Sequence, residues 1–225
     1  MENITKNTSA NQSITERIYK TGIIPVVTLY QPDADALPLC EALRRGGIDI
    51  VEITFRSEGA DRAIEAIKKA YPDMLVGAGT VLDEKQARVA ETAGADFVVT
   101  PGFDEKTVEY CKKKKLPIFP GCITPTEYQL AVSYELDVVK FFPAEQSGGV
   151  AMIKALSGPF QTLKVIPTGG VSLDNIESYI SCPNVLACGG SYMVAQKLIE
   201  SKQWDKVEEL CRWSTEKVKE ARRNA

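Results

Sequence analysis

The chain has 225 residues, of which 44% are hydrophobic, 25% charged and 8% aromatic, with 27 basic groups against 30 acidic ones and no histidine. The missing imidazole excludes a Ser-His-Asp or Cys-His nucleophile, a His-ligated zinc, a HExxH metalloprotease and an imidazole general base, so proton transfer falls to Glu, Asp, Lys, Tyr or Cys. A net charge of -3 gives no electrostatic footprint for nucleic acid or an anionic membrane, and the length suits one large domain with a core that needs no staples.

Residues 1–12 are polar and read as a ragged terminus ahead of one domain over residues 13–225. Asn3-Ile4-Thr5, Asn7-Thr8-Ser9 and Asn11-Gln12-Ser13 match glycosylation sequons, but no apolar leader accompanies them and no later run approaches membrane-spanning length. They are read as accidental. Ser13 is placed as the cap of a short helix that Gly22 stops. Short apolar, β-branched runs then recur: IIPVVTL from residue 23, IDIVEITF from 48, LVGAGTV from 75, FVVTPG from 97, PIFPGC from 117, VVKFFPAE from 138, KVIPTGG from 164 and VLACGG from 185. Runs apolar on both faces and spaced by helix-length segments predict parallel strands with helical crossovers. Eight such units predict an α/β fold, a (β/α)8 TIM barrel with an N-terminal helix and a C-terminal closing helix. An open doubly wound sheet is the alternative; it seldom needs eight regular units, and Gly77-Ala78-Gly79 lacks the third glycine of a dinucleotide fingerprint, where Leu82 stands.

The basic run Lys112 to Lys115 reads as a solvated helix end that complements the helix dipole. The closing helix, Trp204 to Arg222, carries Val207, Leu210, Cys211, Trp213 and Val218 at helical spacing. Cysteines 40, 111, 122, 182, 188 and 211 form no CxxC pair and no metal-ligand cluster. They read as small buried hydrophobes of a reducing compartment, with the cytoplasm as the expected location.

Chemistry in such a barrel sits at the carboxyl ends of the strands. In the second strand, alternation puts Ile50, Glu52, Thr54 and Arg56 on one face and Val51, Ile53 and Phe55 on the other. The apolar set faces the helices, which leaves Glu52 and Arg56 directed into the mouth, where charge is costly unless paired or used. The sixth strand places Lys140 alone within Val138-Val139-Lys140-Phe141-Phe142-Pro143. Desolvation and the charge of Arg56 both favour the neutral amine there, the form that condenses with a carbonyl. A Schiff base of this kind is an electron sink that needs neither metal nor cofactor. The seventh and eighth strands end in Thr168-Gly169-Gly170 and Gly189-Gly190-Ser191, the corners where barrels frequently hold a phosphate, and Ser191 is placed at the start of a helix whose N-terminus favours an anion.

From Gly22 to Val194 the chain resembles the bacterial 2-keto-3-deoxy-6-phosphogluconate (KDPG) aldolases, many of which also cleave 4-hydroxy-2-oxoglutarate (KHG). Residues 47–56 (GIDIVEITFR) look like the family's first signature, and residues 139–144 (VKFFPA) with Gly148 look like its second. Residues 77–81, 100–102 and 167–170 follow as further family segments. The family usually has glycine five residues before the Schiff-base lysine, where this chain has Glu135. The resemblance implies a class I aldolase without cofactor, with Lys140 as the Schiff-base lysine and Glu52 as the proton shuttle. It further implies that Arg56 and Thr80 hold the pyruvate carboxylate and that Pro101 and Phe142 shape the pocket. Thr168, Gly169, Gly170, Gly190 and Ser191 would bind the distal, phosphorylated end. It implies a place in the Entner-Doudoroff pathway, a 2-keto acid sugar phosphate as partner, and a homotrimer without nucleic-acid or membrane partners.

Three alternatives stay open at this stage. A sister aldolase for the galactonate epimer would share Lys140, Glu52 and Arg56. An epimerase or isomerase barrel would use Lys140 only electrostatically, and an inactive sugar-phosphate-binding barrel would bind without releasing pyruvate. Glu145 has no derived role beyond that of a carboxylate at a strand end.

Overall fold

A computed structural model of the chain describes residues 14–224, so the polar terminus and the Ser13 cap lie outside the described residues. Helix α1 spans residues 14–21 and stops at Gly22, whose φ is +70°. The chain then alternates strand and helix. Its first half runs β1 (Ile23–Val27), α2 (Pro32–Arg45), β2 (Ile50–Thr54), α3 (Ala60–Ala70), β3 (Leu75–Gly79), α4 (Glu84–Thr92), β4 (Phe97–Val99) and α5 (Glu105–Lys114). The second half runs β5 (Ile118–Phe119), α6 (Pro125–Ser133), β6 (Val138–Phe141), α7 (Gly149–Ser157), β7 (Lys164–Pro167), α8 (Ile176–Ile180), β8 (Cys188–Gly190), α9 (Gln196–Glu200) and α10 (Trp204–Arg223). A strand stands in each of the eight predicted runs.

All ladders are parallel. Six strands form a curled sheet in the order β5-β4-β3-β2-β1-β8, and β6 pairs with β7. Single parallel bridges join Gly121 to Lys140 and Thr168 to Gly189, linking the pair to the chain after β5 and to β8.

Alternation along the strands sorts the apolar residues into two layers. Val51, Ile53, Val76, Ala78, Val98 and Val139 pack with the helices. The opposite face gathers Ile24, Ile50, Leu75, Phe97, Phe119, Val138, Ile166 and Leu186 into a second cluster, which Ile18 of α1 joins. In β2 and β6 this inner layer takes the first position of the strand, Ile50 and Val138. Two residues further along, the same face turns polar at Glu52 and Lys140.

The helix ends follow local chemistry. Asp83, Asp104 and Thr124 cap α4, α5 and α6 by accepting a backbone N–H, and the Thr124–Glu127 pair closes a capping box. Helices α2, α4, α5 and α6 share one exit. A residue of positive φ follows each, at Gly47, Gly94, Lys115 and Glu135, and the N–H of the next residue reaches back to a carbonyl in the last turn. Lys115 and Glu135 fill a position that glycine adopts without strain, at φ +58° and +55°. Lys112 to Lys114 occupy the last turn of α5, as the charge run predicts.

Three details differ from the sequence-based expectations. Ser191 precedes only a three-residue 3₁₀ turn, Tyr192–Val194, and its side chain caps nothing, so an extended helix dipole is missing at that corner. Trp213 is 41% exposed, with the Lys206 ammonium over its ring, and the buried contact on that turn of α10 is Ser214, hydrogen-bonded with Tyr192. β2 ends at Thr54, so Arg56 lies in the following turn and is exposed. All six cysteines are free and buried. Among the described residues, no helix is long and apolar enough to cross a membrane.

Candidate active site

β2 and β6 carry the two charged groups that the inner face holds. Glu52 and Lys140 are each 3% exposed, and Lys140 Nζ donates to Glu52 Oε1 at 3.5 Å. Each is the other's only side-chain hydrogen-bond partner among the described residues. The backbone fixes Lys140 on both sides, with its N–H bonded to Pro120 O at 2.9 Å and its C=O accepting from Cys122 at 2.8 Å. Its ammonium stands 5.1 Å from the ring centre of Phe142. A single long ion pair in an apolar interior repays little of its desolvation and is weak evidence for stability. Such a pair signals chemistry, because the carboxylate is within reach of the amine's proton.

β3 makes room for the pair. A Cβ on Gly79 would stand 2.1 Å from Glu52 Oε1, and one on Gly77 would stand 2.1 Å from the Phe97 ring. The two glycines admit neighbouring side chains, which explains the Gly-Ala-Gly run without a nucleotide. Thr80, directly after Gly79, sits at φ +53°. A β-branched residue in that region is a true outlier, and such strain of ~1–3 kcal/mol concentrates at functional sites. Thr54, next on the Glu52 face, is fully buried and shares a 2.8 Å hydrogen bond with Thr28.

The other predicted residues collect at the same ends of the strands. Pro101 follows β4, with its carbonyl 2.0 Å from where a Gly121 Cβ would stand. Arg56 is exposed in the turn after β2 and makes no hydrogen bond or ion pair among the described residues. Thr168 is buried, with Oγ1 2.2 Å from the position of a Gly189 Cβ. Gly169 and Gly170 follow at φ +99° and +82°, and Ser191 is exposed beyond Gly190.

Glu145 is exposed and packs its side chain against the Gly169-Gly170 turn. Its N–H donates to Gly169 O at 3.1 Å, and its carboxylate accepts from the phenol of Tyr179 on α8. Burial, followed by the Glu145 hydrogen bond, raises the Tyr179 phenol above its ordinary range, so it keeps its proton and donates. Nothing in the sequence brings Glu145 and Tyr179 together, because the contact depends on adjacent βα units.

A family profile described as KDPG and KHG aldolase matches residues 14–210. The chain belongs to that family. A 2-dehydro-3-deoxy-phosphogluconate aldolase from Haemophilus influenzae is 47% identical over 201 residues, which is 89% of this chain and 94% of that protein. The KHG/KDPG aldolase of Escherichia coli K12 is 38% identical over 91% of this chain and 96% of its own length. Among solved structures, the KDPG aldolase of Legionella pneumophila, with pyruvate captured at low pH as a covalent carbinolamine, superposes with a TM-score of 0.85 at 37% identity. The match covers 88% of this chain and 96% of that one. This KDPG/KHG aldolase is therefore a carbon-carbon lyase that acts through a Schiff base, and the one buried lysine among the described residues stands beside a carboxylate.

Proposed function

We propose that the protein cleaves 2-keto-3-deoxy-6-phosphogluconate to pyruvate and glyceraldehyde 3-phosphate through a Schiff base on Lys140, and KHG to pyruvate and glyoxylate by the same steps. The observation that carries this reading is the buried Lys140–Glu52 contact at 3.5 Å.

Glu52 takes a proton from the Lys140 ammonium, leaving a neutral amine. The amine attacks the C2 ketone. Glu52 returns its proton to the carbinolamine hydroxyl, which leaves as water and gives the iminium. The Glu52 carboxylate then removes the C4 hydroxyl proton, the C3–C4 bond breaks, and its electron pair enters the iminium to form an enamine. Glyceraldehyde 3-phosphate departs. Glu52 protonates the enamine at C3, and water hydrolyses the resulting iminium to pyruvate and the free amine. The iminium accepts the electron pair throughout, so no metal enters the steps.

Arg56 and Thr80 hold the substrate carboxylate, the guanidinium by a charge-assisted fork and Thr80 from its left-handed backbone. Pro101 and Phe142 flank the three-carbon unit. Thr168, Gly169, Gly170, Gly190 and Ser191 receive the distal end with its phosphate. The single bridges at Gly121–Lys140 and Thr168–Gly189 support closure of the eight strands into a (β/α)8 barrel forming one domain. The resemblance to the family supports a homotrimer, to whose contacts exposed apolar side chains such as Leu82 are available. Sedimentation at equilibrium tests the trimer. The protein is assigned to the cytoplasm on its buried thiols.

Incubation with pyruvate and borohydride, followed by peptide mass analysis, tests the Schiff base. The expected result is a reduced pyruvyl adduct on Lys140. An unmodified Lys140, or an adduct elsewhere, overturns the reading.

A further inference from the structure

We propose that Glu145, locked by Tyr179, is a positioning residue that sets the preference for phosphorylated over unphosphorylated 2-keto acids by holding the peptide planes of the Gly169-Gly170 turn. The inference rests on the phosphate reading above.

Consecutive carbonyls of this turn are each tied by a hydrogen bond. Thr168 O accepts from Ala144 N at 2.8 Å, Gly169 O from Glu145 N at 3.1 Å, and Gly170 O from Asn175 Nδ2 at 2.9 Å. In a trans peptide the N–H of the following residue points opposite to the carbonyl. Tying back the carbonyls of Gly169 and Gly170 therefore aims the N–H groups of Gly170 and Val171 the other way. Among the described residues neither N–H donates to a protein group. A pair of aimed, unpartnered backbone donors is the arrangement that recognises a phosphate oxygen.

Glu145 does more than donate one backbone bond. A Cβ on Gly170 would lie 2.4 Å from Glu145 Cγ and 2.7 Å from its Cβ, so the Glu145 side chain fills the space on which the turn rests. Tyr179, fully buried, pins the carboxylate from below. Gly149 admits this contact: a Cβ there would stand 3.1 Å from the phenol oxygen and 3.4 Å from Glu145 Oε1. The carboxylate is thereby held at the foot of the turn and kept off the anion it would repel. KHG carries no phosphate and does not use this corner.

The test compares KDPG and KHG in Tyr179→Phe, Glu145→Ala and Glu145→Gln. Tyr179→Phe removes one oxygen and keeps the packing volume. Losing one aimed donor geometry is expected to raise KM for KDPG ~10-fold with kcat unchanged, and to leave kcat/KM for KHG within about twofold. Glu145→Ala behaves likewise, while Glu145→Gln, which still accepts from the phenol, stays within about threefold of the parent for both substrates. Equal losses on both substrates, a fall in kcat alone, or no change for KDPG overturns the inference. Inorganic phosphate separates the two layers of argument. Competition by phosphate against KDPG in the parent, together with unchanged KM in the variants, overturns only the role of Glu145. A parent enzyme that neither prefers KDPG nor is inhibited by phosphate overturns the phosphate corner and this inference with it.

Discussion

Gly79→Ala adds one methyl group in β3 and should act on catalysis through Glu52. The new Cβ would lie 2.1 Å from Glu52 Oε1, 2.6 Å from Cγ and 2.7 Å from Cδ. Non-bonded contacts settle near ~3.5 Å, so the carboxylate must retreat by about 1 Å or more. That movement disturbs the Lys140–Glu52 contact, which at 3.5 Å already stands at the limit of a hydrogen bond. A displacement of ~1 Å at a reacting group costs on the order of 100-fold in rate, or about 2.7 kcal/mol of transition-state stabilisation. The assay is pyruvate release from KDPG coupled to lactate dehydrogenase. Folding is checked by circular dichroism, because overpacking a core typically costs ~1–3 kcal/mol. The decisive experiment is the double-mutant cycle with Glu52→Ala. With the carboxylate gone the extra methyl has space, so Gly79→Ala should add little further loss to the Glu52→Ala enzyme. Independent, multiplying losses, or a Gly79→Ala enzyme of parental activity, would refute the reasoning.

Other substitutions test separate parts of the structure. Glu52→Gln keeps the shape of the pair and removes the proton shuttle, so the borohydride-trapped pyruvate adduct should persist while kcat falls ~100- to 10,000-fold; near-parental turnover would remove Glu52 from the mechanism. Glu135→Gly relieves a left-handed residue at φ +55°. That strain is worth ~1–2 kcal/mol, part of which glycine's greater chain entropy cancels. The Lys112 ion pair that is lost spans 3.6 Å at the surface and contributes little. A net gain of about 1 kcal/mol corresponds to ~2–4 °C in Tm, and a lower Tm contradicts the strain argument. Burial pushes the thiols of Cys40, Cys111, Cys122 and Cys211 up to about 12. At pH 8 these groups are protonated and shielded, so Ellman's reagent should detect fewer than one thiol per native chain and six after unfolding. Rapid reaction of a native thiol counts against that burial.

The features legible in the sequence are those written in a strand's own alternation. Each strand is apolar on both faces, so its run stands out, and a charge within such a run stands out further. Glu52 and Lys140 were readable for that reason, as was the turn of glycines after Thr168. What escaped depends on partners from other units. Gly79 looks like a strand-ending glycine until Glu52 is placed against it. Thr80 gives no local sign of a left-handed backbone, since a β-branched residue is the least suited to it. Glu145 has no visible purpose without Tyr179 and the turn above it. The Ser191 helix failed in the opposite direction: serine before an apolar stretch reads as a cap, but the chain makes one 3₁₀ turn before Ala195 adopts extended backbone.

The boundary between Ile50 and Glu52 is a single inward step along β2, about 7 Å of strand. Below it the inner face is hydrocarbon from β1 to β7 and from Leu186 ahead of β8, joined by Ile18; above it stand the reacting groups. The two zones share a backbone and little else, so the rim can be rewritten by substitution while the hydrocarbon beneath keeps the scaffold. That separation gives the fold room to acquire new substrates: a lineage can explore Thr80, Glu145 or Ser191 without renegotiating Ile50, Phe97 or Ile166. The glycines of β3 mark the same boundary: a Cβ on Gly77 would meet the Phe97 ring of the hydrocarbon zone, and one on Gly79 would meet the Glu52 carboxylate.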